Sequence, residues 1–116
     1  MGKLMNNNDS VAFYKTIAEK ENLSPVDTKL ANKDSSVFDS EFIMRYADKD
    51  SSILDLASGT GLIINRYYDK VKKITAVELF EEFTKFIIKA PNVQVFNMNL
   101  VNSSNNSTAV IFFTLS

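Results

Sequence analysis

Three residues of this chain have the types and spacing needed to recognise a nucleotide. Gly59 and Gly61 close the run Ile53-Leu54-Asp55-Leu56-Ala57-Ser58-Gly59-Thr60-Gly61, and Glu78 closes Ile74-Thr75-Ala76-Val77-Glu78. Glycines at a turn let the backbone come close to a ligand, and a carboxylate can accept hydrogen bonds from both hydroxyls of a ribose. Glu78 follows Gly59 by 19 positions, the interval that brings an acid to the carboxyl edge of the neighbouring strand in a βαβ unit. An apolar run that stops at a Gly-containing turn and passes into an amphipathic stretch reads as strand, tight loop and helix. The pairing implies an adenosine-containing ligand.

The glycines narrow the choice of ligand. A dinucleotide fingerprint needs G-x-G-x-x-G, its third glycine letting helix and strand pack closely beneath a pyrophosphate. Counted from Gly59 that position is Ile64, and counted from Ala57 it is Leu62, so both registers disfavour a nicotinamide-dependent oxidoreductase. No G-x-x-x-x-G-K-[ST] occurs, which excludes a P-loop.

With Asp55, Ala57, Gly59 and Gly61 in the places of D-x-G-x-G-x-G, residues 50 to 100 resemble the class I S-adenosylmethionine (SAM)-dependent methyltransferases. The resemblance implies an α/β fold with a Rossmann-like parallel sheet and flanking helices, and SAM as cofactor. It implies a cofactor site at Asp55, Ala57, Ser58, Gly59, Gly61, Glu78, Leu79 and Asn99. In that site Gly59 and Gly61 admit the methionine end of the ligand, Asp55 holds the loop and orients the ligand's amino group, and the ligand carboxylate lies near a helix amino terminus. Ala57 departs from the family's first glycine, which is tolerable if its φ is below zero. Asn97 and Asn99 stand where relatives carry an acid for the adenine amino group; an asparagine carbonyl can accept from it, without charge.

Composition removes whole classes of chemistry. The 116 residues contain no cysteine, histidine or tryptophan, which excludes cysteine-based zinc sites, disulfides, thiol nucleophiles, Ser-His-Asp triads and a histidine base. Proton abstraction falls to a carboxylate, a lysine, a tyrosine, the substrate or water. Thirteen Lys and Arg against 14 Asp and Glu give no basic footprint, so no nucleic acid is expected as a partner. Lys70, Lys72 and Lys73 read as a solvated connection. No stretch approaches a membrane span or a signal peptide, and the expected location is cytoplasmic.

The remaining pattern supplies the elements that hold these residues. Asp9 or Ser10 caps a first helix through about Asn22, with Val11, Tyr14, Ile17 and Ala18 on one stripe. Ser24-Pro25 breaks it, and Lys33-Asp34-Ser35-Ser36 caps a second helix through about Ala47 whose apolar side is Phe38, Phe42, Ile43 and Tyr46. Residues 1–50 form this helical cap and 51–116 the cofactor-binding half. From Ser52 onward strands at 53–56, 74–78 and 93–97 alternate with helices at about 61–70 and 80–89. Leu62, Ile63, Tyr67 and Val71 make one core stripe, and Phe80, Phe83, Phe86 and Ile87 another.

A polar stretch, 102–108, precedes Ala109-Val110-Ile111-Phe112-Phe113, a buried-strand run. The resemblance places this fourth strand beside the first, in the order 3-2-1-4. The crossing needs about 25 Å, and the eleven residues from Met98 to Thr108 reach about 36 Å. The sheet is therefore expected to be incomplete, with about four strands and an apolar edge suited to a complementing chain or a homo-oligomer. The functional expectation is a SAM-dependent methyltransferase, or its cofactor-binding portion, with a small-molecule acceptor and no named catalytic base. The alternative is a SAM-binding or scaffold module without turnover.

Overall fold

The structure, a computed structural model, describes residues 7–29, 33–98 and 112–113. Its organising element is a four-stranded, wholly parallel sheet in the order β3-β2-β1-β4, with β1 at Ser52–Leu56, β2 at Lys73–Glu78, β3 at Val93–Asn97 and β4 at Phe112–Phe113. This is the order that the resemblance implied. Parallel neighbours require crossovers, and helical segments supply them between β1 and β2 and between β2 and β3. Residues 109–111 of the expected fourth strand lie outside the described residues.

The register follows from which side chains must be dry. Ile53 pairs with Ile74 and Ile74 with Val93, so branched residues stack in one layer beneath the helices. Ile53, Ile63, Ile64, Tyr67, Val71, Ile74, Ala76 and Ile87 form one buried cluster. Each large side chain in such a cluster contributes about 1.5–3 kcal/mol. Tyr67 is wholly buried, and its hydroxyl has no hydrogen-bond partner among the described residues. Burial, and secondarily the negative charge of Asp55, push the Tyr67 phenol well above its ordinary range, so it stays protonated.

The helices are shorter than their stripes suggest. Helix α1, Asn7–Ala18, ends four residues before the expected limit, and Asn22 takes a left-handed φ of 57°. Past it, Asp27 turns the chain: its carboxylate accepts from the Ser24 amide at 2.6 Å and from Lys20 Nζ at 3.0 Å, shaping the 3-10 turn Pro25–Thr28. These bonds, the backbone bond first, hold the Asp27 carboxyl below the usual range. Helix α2, Ser36–Ile43, starts where the Lys33-Asp34-Ser35-Ser36 cluster directs, with Asp34 Oδ1 accepting from the Ser36 amide at 2.8 Å. Regular helix gives way to turns after Ile43, although Ala47 still bonds back to Ile43.

Helix α3 is confined to Ile64–Tyr67 and tightens into a 3-10 turn at Tyr68–Lys70, and α4 is confined to Glu81–Thr84. Side chains replace the missing helical bonds. Asn65 clasps the far end of the α4 segment, donating to the Phe86 carbonyl at 2.9 Å and accepting from the Ile88 amide at 2.8 Å. Asn92 donates to the carbonyls of Tyr68 and Val71. The two core stripes survive this shortening at Ile63, Tyr67, Val71, Phe83 and Ile87, while Leu62, Phe80 and Phe86 are half-buried.

The expected packing of α2 does not hold. Phe38 is 74% exposed, Phe42 58% and Tyr46 73%; only Ile43 of the four packs against the core. The helix is rotated so that Ser36, completely buried, faces inward and accepts from Arg66 Nε on α3. That polar attachment, together with Arg66 near Asp34, sets a rotation that hydrophobic periodicity alone does not predict.

Candidate nucleotide-binding site

The site forms where β1 and β2 end side by side. Five ladder pairs run from Ser52 and Lys73 to Leu56 and Val77, so both strands deliver their carboxyl ends to one level. The loop after β1 then bends over the end of β2: the Ser58 amide donates to the Val77 carbonyl at 3.1 Å. One step further the Gly59 amide donates to Glu78 Oε1 at 2.8 Å, and Oε2 accepts from the Phe80 amide at 3.1 Å. Loop and acid, separated in sequence, share a buried hydrogen bond.

Glu78 is 8% exposed. Burial raises its carboxyl above the ordinary 4.5, and the amides of Phe80, Gly59 and Leu79 oppose that shift by bonding to the charged form. The expected roles of Gly59 and Glu78 are compatible with this meeting, and Leu79, half-buried, directly follows the acid.

The loop owes its shape to three consecutive odd positions with positive φ: Ala57 at 57°, Gly59 at 60° and Gly61 at 77°. The condition attached to Ala57 is therefore not met. An alanine in the left-handed region pays about 1–2 kcal/mol of steric cost, and the turn imposes that conformation anyway because Ser58 and Gly59 are pinned to β2. At Gly61 an added Cβ would lie 2.6 Å from Ile87 Cγ1 and 3.2 Å from its Cα. Close packing of the α4 segment thus accounts for that glycine.

Asp55 is 1% exposed within β1, on the same face as Ile53. Ser58 is also buried, and its hydroxyl has no partner among the described residues. Asn99 lies outside the described residues. Asn97, at the end of β3, donates through Nδ2 to the Glu78 carbonyl and to Thr84 Oγ1, both at 3.2 Å, which braces the acid's backbone. Helix α3 begins three residues after Gly61, so the expected helix amino terminus does not abut the glycines.

One member of the loop escaped the sequence reading. Thr60, 2% exposed, donates from Oγ1 to the Pro25 carbonyl at 2.6 Å, tying the loop to the amino-terminal segment. The signal available was only a hydroxyl between two glycines; its partner, 35 positions away, left no mark on the local pattern. Tyr14 approaches from the same segment, its ring edge-on to Phe83 with centroids 6.4 Å apart, so it packs against the core.

Comparison with solved structures bears on this geometry. The chain superposes on phosphoethanolamine N-methyltransferase 1 of Haemonchus contortus, solved with phosphoethanolamine and S-adenosylhomocysteine. That match has a TM-score of 0.68 and 10% identity, over 91% of this chain and 24% of that one. The fold is that of part of a class I methyltransferase. A second methyltransferase-fold match, DhpI in its complex with SAM and HEP, has a TM-score of 0.61 and 21% identity, over 90% of this chain and 48% of that one. The chain therefore spans about a quarter and about half of these two structures. No family model matches the sequence, and no curated protein matches it. Among the described residues no helix is long and apolar enough to cross a membrane, and no cluster of acids is arranged to hold a metal.

Proposed function

We propose that this chain is the cofactor-binding portion of a SAM-dependent methyltransferase acting on a small-molecule acceptor. The observation that carries the reading is the buried Gly59–Glu78 hydrogen bond at the carboxyl ends of β1 and β2. It presents a carboxylate at the place where this fold class receives a nucleoside.

The donors and acceptors present suit that ligand. A carboxylate offers about four acceptor positions; the amides of Gly59, Phe80 and Leu79 engage three, so a ribose would take the remaining position with one hydroxyl and displace an amide to engage both. The buried Ser58 hydroxyl adds an unsatisfied polar group on the same loop. Ile64 is 1% exposed in the core, so its position offers no room beneath a pyrophosphate, which favours a mononucleoside over a dinucleotide.

SAM, when bound, supplies an activated methyl group. Glu78 would accept from the ribose, Gly59 and the Ala57–Ser58 turn would border the methionine end, and Asp55 would hold the loop from below. Leu79 would give an apolar contact to the base, and Asn99 would accept from the adenine amino group. Their common role is to fix the donor so that an acceptor atom can reach about 3–3.5 Å in line with the methyl group. With no histidine or cysteine in the chain, any base that these residues themselves supply is a carboxylate, a lysine or a tyrosine.

Isothermal calorimetry with SAM and with S-adenosylhomocysteine tests the proposal. Micromolar-range binding is expected, weakened at least tenfold, about 1.4 kcal/mol, by Glu78→Ala or Gly59→Val. A folded sample that evolves no heat with either compound sinks it.

A further inference from the structure

The ligand-free site is closed by its own donors. Ser58, Gly59, Thr60, Gly61 and Glu78 are all buried, although a nucleoside has to reach both the loop and the acid. Of the three amides on the Glu78 carboxylate, those of Leu79 and Phe80 belong to the two residues that directly follow it, so the local turn after β2 fixes them. The Gly59 amide reaches the same carboxylate across 19 positions of sequence. It is the one that a shift of the loop withdraws.

The loop is in turn held from the amino-terminal side. Thr60, next to Gly59, is 2% exposed and donates to the Pro25 carbonyl at 2.6 Å. The turn Pro25–Thr28 that offers this carbonyl is stiff, because the Asp27 carboxylate binds back to the Ser24 amide and to Lys20. Two bonds on adjacent residues, one to the acid and one to the turn, therefore fix the loop over the end of β2.

We propose that the turn Pro25–Thr28 is a strap that keeps the empty nucleotide site shut through Thr60, and that the ribose releases it by taking the place of the Gly59 amide on Glu78. This inference rests on the reading of the site as one for SAM. Because Thr60 adjoins Gly59 in the chain, withdrawal of the Gly59 amide carries Thr60 away from Pro25, and the two bonds open together. The left-handed Ala57 is a steric cost of the closed loop, which opening is free to relieve.

The consequence has an unusual sign. A closed site does not bind, so the measured affinity is the intrinsic affinity reduced by the fraction of molecules that are open. Weakening a bond made only in the closed form raises that fraction and tightens ligand binding. A Thr60 that touched the ligand, or that merely supported the fold, would give weaker or unchanged binding when its hydroxyl is removed.

Isothermal calorimetry with S-adenosylhomocysteine on wild type, Thr60→Val and Thr60→Ser tests the strap, with circular dichroism to establish that each is folded. Thr60→Val loses the donor and should bind about fivefold more tightly, the equivalent of one ordinary hydrogen bond. Thr60→Ser keeps the donor and should match wild type. A second readout needs no variant: trypsin should cut wild type after Lys20 and Lys29, which border the strap, faster with saturating S-adenosylhomocysteine than without it, while its other sites are protected. Should Thr60→Val fail to fold, the cleavage result decides alone. Thr60→Val that binds as wild type does or more weakly, or cleavage at both lysines that ligand leaves unchanged or slows, overturns the strap; wild type has then still bound, and the SAM reading stands. A wild type that evolves no heat removes the SAM reading and the strap with it.

Discussion

The backbone amide of Gly59 donates to Glu78 Oε1 at 2.8 Å, in a contact closed to solvent. A glycine loop and an acid on neighbouring strands thereby stabilise each other before any ligand is present. Removing the acceptor leaves a buried amide without a partner, at a cost of about 1–3 kcal/mol. In Glu78→Ala, hydrogen exchange at the Gly59 amide should accelerate about tenfold or more, while amides in the β2–β3 ladder keep their protection. Unchanged exchange at Gly59 would show that the bond does not hold the loop.

Glu78 should also make stability depend on pH. Its folded carboxyl lies above 4.5, so the native state retains a proton that the unfolded chain has already lost. The associated stabilisation is full below about pH 4.5 and is lost as pH rises through the folded value. The difference in urea midpoint between wild type and Glu78→Gln, followed upward from pH 4.5, should move against the wild type over that window. Taking the difference cancels Asp27 and Asp34, whose carboxyls lie below 3.8 and act in the opposite sense at lower pH.

Ala57 sits at a φ of 57°. Glycine there escapes a steric cost of about 1–2 kcal/mol and gives back about 0.4–1 through the freer unfolded chain. Ala57→Gly should thus stabilise the protein by about 0.5–1 kcal/mol, seen as a higher urea midpoint at unchanged slope. A lower midpoint would mean that the turn is not left-handed at that residue.

Gly61 combines a φ of 77° with Ile87 in the space of its missing side chain. Gly61→Ala should destabilise by about 2–4 kcal/mol, the sum of conformational strain and overpacking. Ile87→Ala removes the Cγ1 at 2.6 Å but keeps the Cα and Cβ at 3.2 Å, so it relieves only part of the clash. In a double-mutant cycle the pair should be at least about 1 kcal/mol less destabilised than the two single changes added together. Strict additivity would place Ile87 elsewhere.

Thr60 joins the loop to the amino-terminal segment through the Pro25 carbonyl at 2.6 Å. Thr60→Val keeps the shape and loses the donor, which should cost about 1 kcal/mol or slightly more. Thr60→Ser keeps the donor and should retain most of the stability, separating the hydrogen bond from packing.

The sheet was legible because its signals are local. Short apolar runs broken by Gly-containing turns mark β1 and β2, and Pro91 before Val93 marks β3, whose bounds match expectation residue for residue. Helix ends were less legible: Asn65 and Asn92 replace helical bonds with side-chain bonds across more than twenty residues of sequence. Such contacts leave no mark on periodicity.

The resemblance read from the sequence implied the parallel order 3-2-1-4, while strand alternation and the spacing of a βαβ unit placed the loop at the end of β1 and Gly59 close to Glu78. Only the tertiary structure decided the positive φ of Ala57, the filling of Gly61's space by Ile87, the hold of Pro25 on Thr60 and the outward turn of Phe38, Phe42 and Tyr46. Each of these depends on which distant atom arrives first at a shared volume, a question of packing between elements that no local pattern encodes.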